Sequence, residues 1–577
     1  MTIAKFRIFC WLLCCLAAGC TDKDALSVGD TGQETVDGVS LRLSISMAGN
    51  GTDESGSKET PGTGFENDIH NLYVFTENSS GERTAYPFNN ITLDEGTSDG
   101  TRTVKLKLPA SMKVGSDVKL YLGANLNAEQ AAAFCENNKV YTLPDETSSY
   151  NIIEAFAPGI KTADNTPRKD IAMFCTKAVT ATITTEKDGA HTELEVTFDL
   201  KRLVAKVLVT CEEDKNNEGY APLKTGSSLA TNGGWIRLEN VYFLVNSLNR
   251  SSFIMEKENN GTQVDPNNDL EKYLDNTYGG YDASLIANDF VYAPSNLQYN
   301  VINYFKHAPI YEEAKLPGAN GKAYRPDQAL YCPENLFAEV ADGAVKDKLA
   351  SYKYVWPMIT HVSVAAKYTP KKLWIEKELV SFVLKNINDV EGNEEERDTL
   401  KEQLEQWEQA AEEIQTSVME VRCHSEYVSQ TLLTQSLKKE NYYQEGTYDY
   451  DTSGFPQHTY FYYNNQSDSN IEDRYYTYGA VKLMLGDSFD SEQPENLGNY
   501  LPYTQGWGYY HTYIDGTGGN QSVAPYNNGQ VRRNTYYILT VKSFSHPGTS
   551  IHQGGYIDVH TRVEEWKDGG SGSIELN

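Results

Sequence analysis

Adjacent Cys423 and His424 are the nearest approach in this sequence to a nucleophile beside its base. Neighbouring side chains point to opposite faces of a strand or diverge on a helix. A thiolate–imidazole pair would therefore need a second histidine from elsewhere in the fold. His546, His552 and His560 form the closest histidine set, without the spacing of a metal site. Asp265, Asn267, Asn268 and Asp269 offer oxygen ligands for calcium but lack the order of a defined calcium loop. Glu394-Glu395-Glu396 and Glu564-Glu565 supply carboxylates, which read as solvated faces in an acidic chain. Glycoside hydrolysis needs two carboxylates at a fixed separation in a cleft, and linear spacing cannot establish that. No P-loop, dinucleotide fingerprint or H-E-x-x-H is present. The expectation is a chain that does not catalyse and needs no metal or cofactor.

The 577 residues carry 80 Asp+Glu against 50 Lys+Arg, a formal charge of -30. Such a surface repels phosphate backbones, so no nucleic-acid partner is expected. Tyrosine is the unusual count, at 39, with clusters at Tyr442-Tyr443, Tyr460–Tyr463, Tyr475–Tyr478 and Tyr509–Tyr513. Two readings stand open. Exposed tyrosines would make an adhesive surface; tyrosines on strands would instead pack across them.

The elements that must position these residues begin after an export signal. Lys5 and Arg7 precede a short apolar run, Ile8 to Leu16, and then small residues Ala17-Ala18-Gly19 before Cys20. The run is too short to span a bilayer, so residues 1–20 read as a signal peptide of lipoprotein form. Cys20 would take the acyl chains and anchor the precursor to the outer membrane. Residues 21–37 are polar and read as a tether. The remaining cysteines, Cys135, Cys175, Cys211, Cys332 and Cys423, are odd in number and widely spaced, which is no disulfide framework.

Strict alternation then begins. Val39, Leu41, Leu43, Ile45 and Met47 face one way, with Ser40, Arg42, Ser44 and Ser46 opposite, which predicts a half-buried strand. A long polar loop follows to Gly64. Further strands are expected around Ile69–Phe75, Val104–Leu108, Val118–Leu122, 191–200, 203–209, 534–541 and Ile557–Val563, with a short helix at Glu129–Cys135. One stretch, Glu394 to Val418, carries Leu400, Leu404, Trp407, Ala411, Ile414 and Val418 at helical spacing. That predicts an amphipathic helix packed on its own sheet. The class is all-β: two tandem sandwich-like domains, 38–199 and 200–577, with a helical insertion about 391–420 in the second.

Several segments, in order, resemble the fimbrillins of Bacteroidetes-type (type V) pili. Asn67-Asp68-Ile69-His70-Asn71-Leu72-Tyr73-Val74-Phe75 is similar to that family's first strand after its processing loop. Leu120-Tyr121-Leu122-Gly123-Ala124-Asn125 resembles its strand ending in Ala-Asn. Leu200 to Val207 resembles its Arg-x-x-Ala strand between domains, and Val531 to Tyr537 its Arg-Asn-x-x-Tyr segment. Val563-Glu564-Glu565-Trp566 matches a strand-then-Trp pattern.

The resemblance implies tandem transthyretin-like sandwiches and assembly by donor-strand exchange. An outer-surface protease removes the first strand, here Val39, Leu41, Leu43, Ile45 and Met47. The C-terminal strand of another subunit, here Ile557, Val559, Thr561, Val563 and Trp566, then fills the groove by strand addition. The implied partners are copies of this chain or related pilins, the processing protease, and receptors on host or bacterial surfaces. The family commonly presents arginine in its processing loop; residues 48–66 have none, and Lys58 is the only basic residue there. Either a protease of other specificity cuts near Lys58, or the subunit stays uncut as a basal anchor. A glycan-binding surface lipoprotein is the alternative.

Overall fold

The computed structural model describes residues 35–47, 66, 68–94, 101–113, 115–143, 170–183, 193–259, 262–264, 266–267, 274–275, 280–281, 289–291, 306–308, 315–316, 323–324, 329–336, 359–444, 454–463, 473–490, 497–514, 531–548, 557–565 and 573–575. The front half is one sheet. Its strands are β1 (Thr35–Met47), β2 (Asn71–Glu77), β3 (Arg83–Asn89), β4 (Arg102–Lys113) and β5 (Asp117–Ala124), followed after helix α1 (Ala128–Cys135) by β6 (Met173–Cys175), β7 (Val179–Thr182) and β8 (Glu193–Arg202). They lie in the order β3-β2-β5-β6-β8-β1-β4, with β7 alongside β5. Alternation explains the burial: in β8, Leu194, Val196, Phe198 and Leu200 point inward and their neighbours outward. Helix α1 starts on a capping box between Asn127 and Gln130 and drives Phe134 into the core.

The back half is built on β9 (Val204–Cys211), β10 (Trp235–Asn246), β11 (Lys306–His307), β12 (Leu330–Pro333) and β13 (His361–Thr369). An inserted segment follows, comprising β14 (Lys372–Glu376), α2 (Lys377–Lys385), α3 (Glu394–Glu413), β15 (Val418–Arg422), α4 (Glu426–Lys439), β16 (Tyr460–Tyr463), β17 (Arg474–Tyr476), α5 (Tyr478–Leu485) and β18 (Tyr500–Tyr503). The chain then returns as β19 (Trp507–Tyr513), β20 (Thr535–Phe544), β21 (Ile557–Glu565) and β22 (Ser573–Glu575). Among the described residues the back half's three larger sheets are β12-β9-β20-β21-β22, β11-β10-β13-β19 and β15-β14-β17-β16-β18. β13 and β19 pair with each other, from His361↔Tyr513 to Lys367↔Trp507, so everything between them is an excursion from one hairpin. The fold is all-β in its framework, with the helices concentrated in that excursion.

β9 explains how the halves join. Its eight residues are all buried because it has two cores to face. Val204 and Leu208 belong to the front core, and Ala205, Val207, Val209 and Cys211 to the back one. β20 divides likewise: Tyr536 and Ile538 face forward, Tyr537, Leu539 and Val541 backward. The near-continuous apolar run of residues 203–209 is thus a central strand covered on both faces.

Two expectations shift. Helix α3 begins on a capping box between Asn393 and Glu396 and buries Leu400 and Leu404, but ends at Glu413. Val418, expected on its stripe, instead opens β15 and pairs with Glu376 of β14, since ladder hydrogen bonds outcompete one more helical turn. The helical content also extends well beyond residues 391–420, through α2, α4 and α5. The tyrosine clusters supply core rather than a sticky surface. Tyr460, Tyr475, Tyr478 and Tyr510 are fully buried, and Tyr460 stacks on Tyr503 with ring centroids 5.0 Å apart.

Candidate strand-exchange site

β1 lies between two strands and holds both. It runs antiparallel to β4, from Thr35↔Lys113 to Ile45↔Arg102, and parallel to β8, from Ser40↔Glu193 to Met47↔Leu200. Val39, Leu41, Leu43 and Ile45 are buried, while Ser40, Arg42, Ser44 and Ser46 are half-buried on the other face. Each inward aliphatic contributes roughly 1.5–3 kcal/mol. The inward residues join a core with Leu72, Val74, Leu122, Val196 and Phe198. The outward face adds a wide Arg42–Glu195 ion pair at 3.7 Å, exposed and so worth little. β4 is the outermost strand, and among the described residues its one strand partner is β1.

Glu66, downstream of β1, is tied down by a buried polar cluster. Glu66 and Lys206 form an ion pair at 2.7 Å, both almost wholly shielded from solvent. Tyr331 donates its hydroxyl to Glu66 at 2.5 Å, and Arg202 Nε donates to the Glu66 carbonyl at 3.0 Å. The Lys206 ammonium also sits 4.6 Å over the Tyr536 ring. Arg202 reaches in turn to Asn534, donating from Nη1 to Oδ1 at 3.2 Å. Next to it, Arg533 is paired with Glu334 and donates to the carbonyls of Phe253 and Ile254.

The motif segments found in the sequence therefore converge in space. Arg202 and Asn534, 332 positions apart, touch. Asn125 does a similar service in the front half. It adopts φ 53°, which asparagine tolerates. Its amide donates to the carbonyls of Asp68 and Ile171, and its Oδ1 accepts from the His70 backbone at 3.0 Å. Glu66, Lys206 and Tyr331 were not legible as a set. A lysine in an otherwise apolar strand was the one local signal, since a buried lysine needs a partner.

At the other end of the chain, residues Ile557, Val559, Thr561 and Val563 lie on β21. It pairs antiparallel with β20 from Thr535↔Glu565 to Phe544↔Ile557. On its outer side, among the described residues, it carries only the three-residue β22. Their side chains, that of Met47, and Cys20, Lys58 and Trp566 entire lie outside the described residues, as do His552, Asp265, Asn268 and Asp269; of His560 only the strand pairing is described. Cys423 is buried, its thiol pushed up to about 12 by burial, and His424 is exposed on the next residue. The two do not form a nucleophile–base pair.

No protein-family model matches the sequence, and no curated protein does. Solved structures do. Two putative cell adhesion proteins from Parabacteroides distasonis match at 14% and 10% identity. The matches cover 92% and 94% of this chain and 100% and 99% of theirs, with TM-scores of 0.35 and 0.37. The tip fimbrial protein Mfa3 from Porphyromonas gingivalis, with a C-terminal truncation, matches at 11% identity over 92% of this chain and 100% of its own, with a TM-score of 0.27. Over nearly its whole length the chain is similar, distantly, to bacterial proteins described as adhesive or fimbrial.

Proposed function

We propose that this chain is a structural subunit of a cell-surface pilus, exported as an outer-membrane lipoprotein acylated at Cys20 and assembled by donor-strand exchange to mediate adhesion. The observation that supports it most is the place of β1, an interior strand with four buried aliphatic side chains whose departure would unpair β4 and bare one edge of β8. A vacated groove of that kind is completed by another extended chain. The donor in this reading is Ile557–Val563 with Trp566. It repeats the two-residue period of Val39–Ile45 over the same seven-residue length. β21 is next to last in its sheet, paired with β20 on one side and with the three-residue β22 on the other. A head-to-tail contact that does not close on itself makes a filament.

Cleavage is placed between Lys58 and Gly64. The mature N-terminus of subunits sheared from cells tests this. A start within that window supports the reading, whereas Thr21 or an acylated Cys20 in filament-borne protein would overturn it and mark an uncut basal anchor instead.

A further inference from the structure

The excursion between β13 and β19 carries a cleft of about 240 Å³. One wall is a single face of α4, with Tyr427, Gln430, Thr431, Thr434, Gln435 and Lys438 recurring at helical spacing. The other is the turn entering α3, with Glu391, Gly392 and Glu396, together with Gln457 and His458. The turn is held against α4 by Tyr427, whose hydroxyl donates to the Glu391 carbonyl at 2.8 Å. Gly392 sits at φ 131°, and a Cβ there would lie 2.7 Å from that hydroxyl.

The lining has capacity that the protein itself does not use. Gln435 is 6% exposed, and its amide faces the water of the cleft, not a protein partner among the described residues. Gln457 likewise lines the cleft unpaired, and Gln430 uses its NH₂ on Glu426 at 2.9 Å. Charge does not favour an anion. Glu391 and Glu396 flank the mouth, Lys438 is drawn over the Tyr443 ring at 4.9 Å, and Lys367 Nζ donates to His458 Nδ1 at 3.1 Å. An apolar ligand would leave the Gln435 amide unsatisfied. A ligand whose hydroxyls both donate and accept, with a C–H face for the Tyr427 ring, meets every demand. The volume lies below the roughly 300–1,000 Å³ of clefts that take drug-sized molecules, and suits one ring.

We propose that this cleft binds one neutral sugar residue, a hexose or N-acetylhexosamine, of a surface glycan. The proposal does not depend on strand exchange. It is tested by saturation-transfer NMR on the full chain with free glucose, galactose, mannose, N-acetylglucosamine, N-acetylgalactosamine, glucuronate and sialic acid. Transfer to a neutral sugar is expected. Gln435→Ala should weaken its binding about tenfold or more, and Gly392→Ala should abolish it by displacing Tyr427. Should either variant melt early, Gln457→Ala, on a half-exposed residue, makes the same test. Transfer to none of the neutral sugars at millimolar concentration, transfer to the acidic sugars alone, or binding indifferent to the substitutions in folded protein would each overturn it. Filament assembly should be unchanged in these variants.

Discussion

Glu66 and Lys206 sit where water does not reach, so each charge depends on the other. Removing one leaves the other a buried ion short of its 2.7 Å partner, which costs about 3–5 kcal/mol. Glu66→Gln and Lys206→Met should each lower stability by that order in denaturant titrations. The pair Glu66→Leu with Lys206→Met should recover much of it. A wild-type midpoint in either single variant would refute the pairing. Glu77 is a second informative carboxylate. Burial raises it, but hydrogen bonds from Lys119, Arg83 and Tyr121 outweigh burial and take it from 4.5 to about 2. A carboxyl held low contributes stability that is complete above its ordinary value and drains away as pH falls toward the folded one. Between pH 4.5 and about 2 the wild type should therefore lose stability more steeply than Glu77→Gln, measured by melting temperature against pH. The five downstream cysteines are free, and burial lifts the thiols of Cys175 and Cys423 to about 12. An odd, scattered count foretold at least one free thiol. What a list of residue types could not foretell is that Arg202 meets Asn534, because that contact joins positions brought together only by two strands packing side by side.

At the scale of elements, β1 and β4 stand or fall together. Deleting residues 35–47 should leave β4 unpaired and the protein prone to aggregation, and a synthetic peptide of residues 557–577 added during refolding should restore solubility. A peptide without effect would speak against strand replacement. Deleting 557–577 from the full chain should give a secreted monomer that cannot polymerise; ladders of high-mass oligomers would contradict this. Strands were the legible elements, since period-two alternation in β1, β4 and β8 records one wet and one dry face. Helix α4 was silent for the opposite reason. Its surroundings bury Ser429, Thr431, Thr434, Gln435 and Ser436 along with Leu432 and Leu433, so no apolar stripe appears in its sequence. The same polar burial makes the sugar cleft, which is why that site too escaped sequence reasoning.

For the whole molecule, the shared sheet decides how it comes apart. β9, β12 and β20 each give one face to the front core and one to the back. Neither core can open without stripping the other's wall, so calorimetry should record a single cooperative transition; two resolved steps would show that the halves are independent. The arrangement of β1 carries a last consequence. Strands in a sheet stand about 4.8 Å apart, so losing one from between β4 and β8 opens a slot of roughly 9.6 Å, wide enough for a single replacement. Each molecule would then own one socket and one plug. Polymers built on that arithmetic grow as unbranched threads, and any copy lacking its plug becomes a terminator that sets their length.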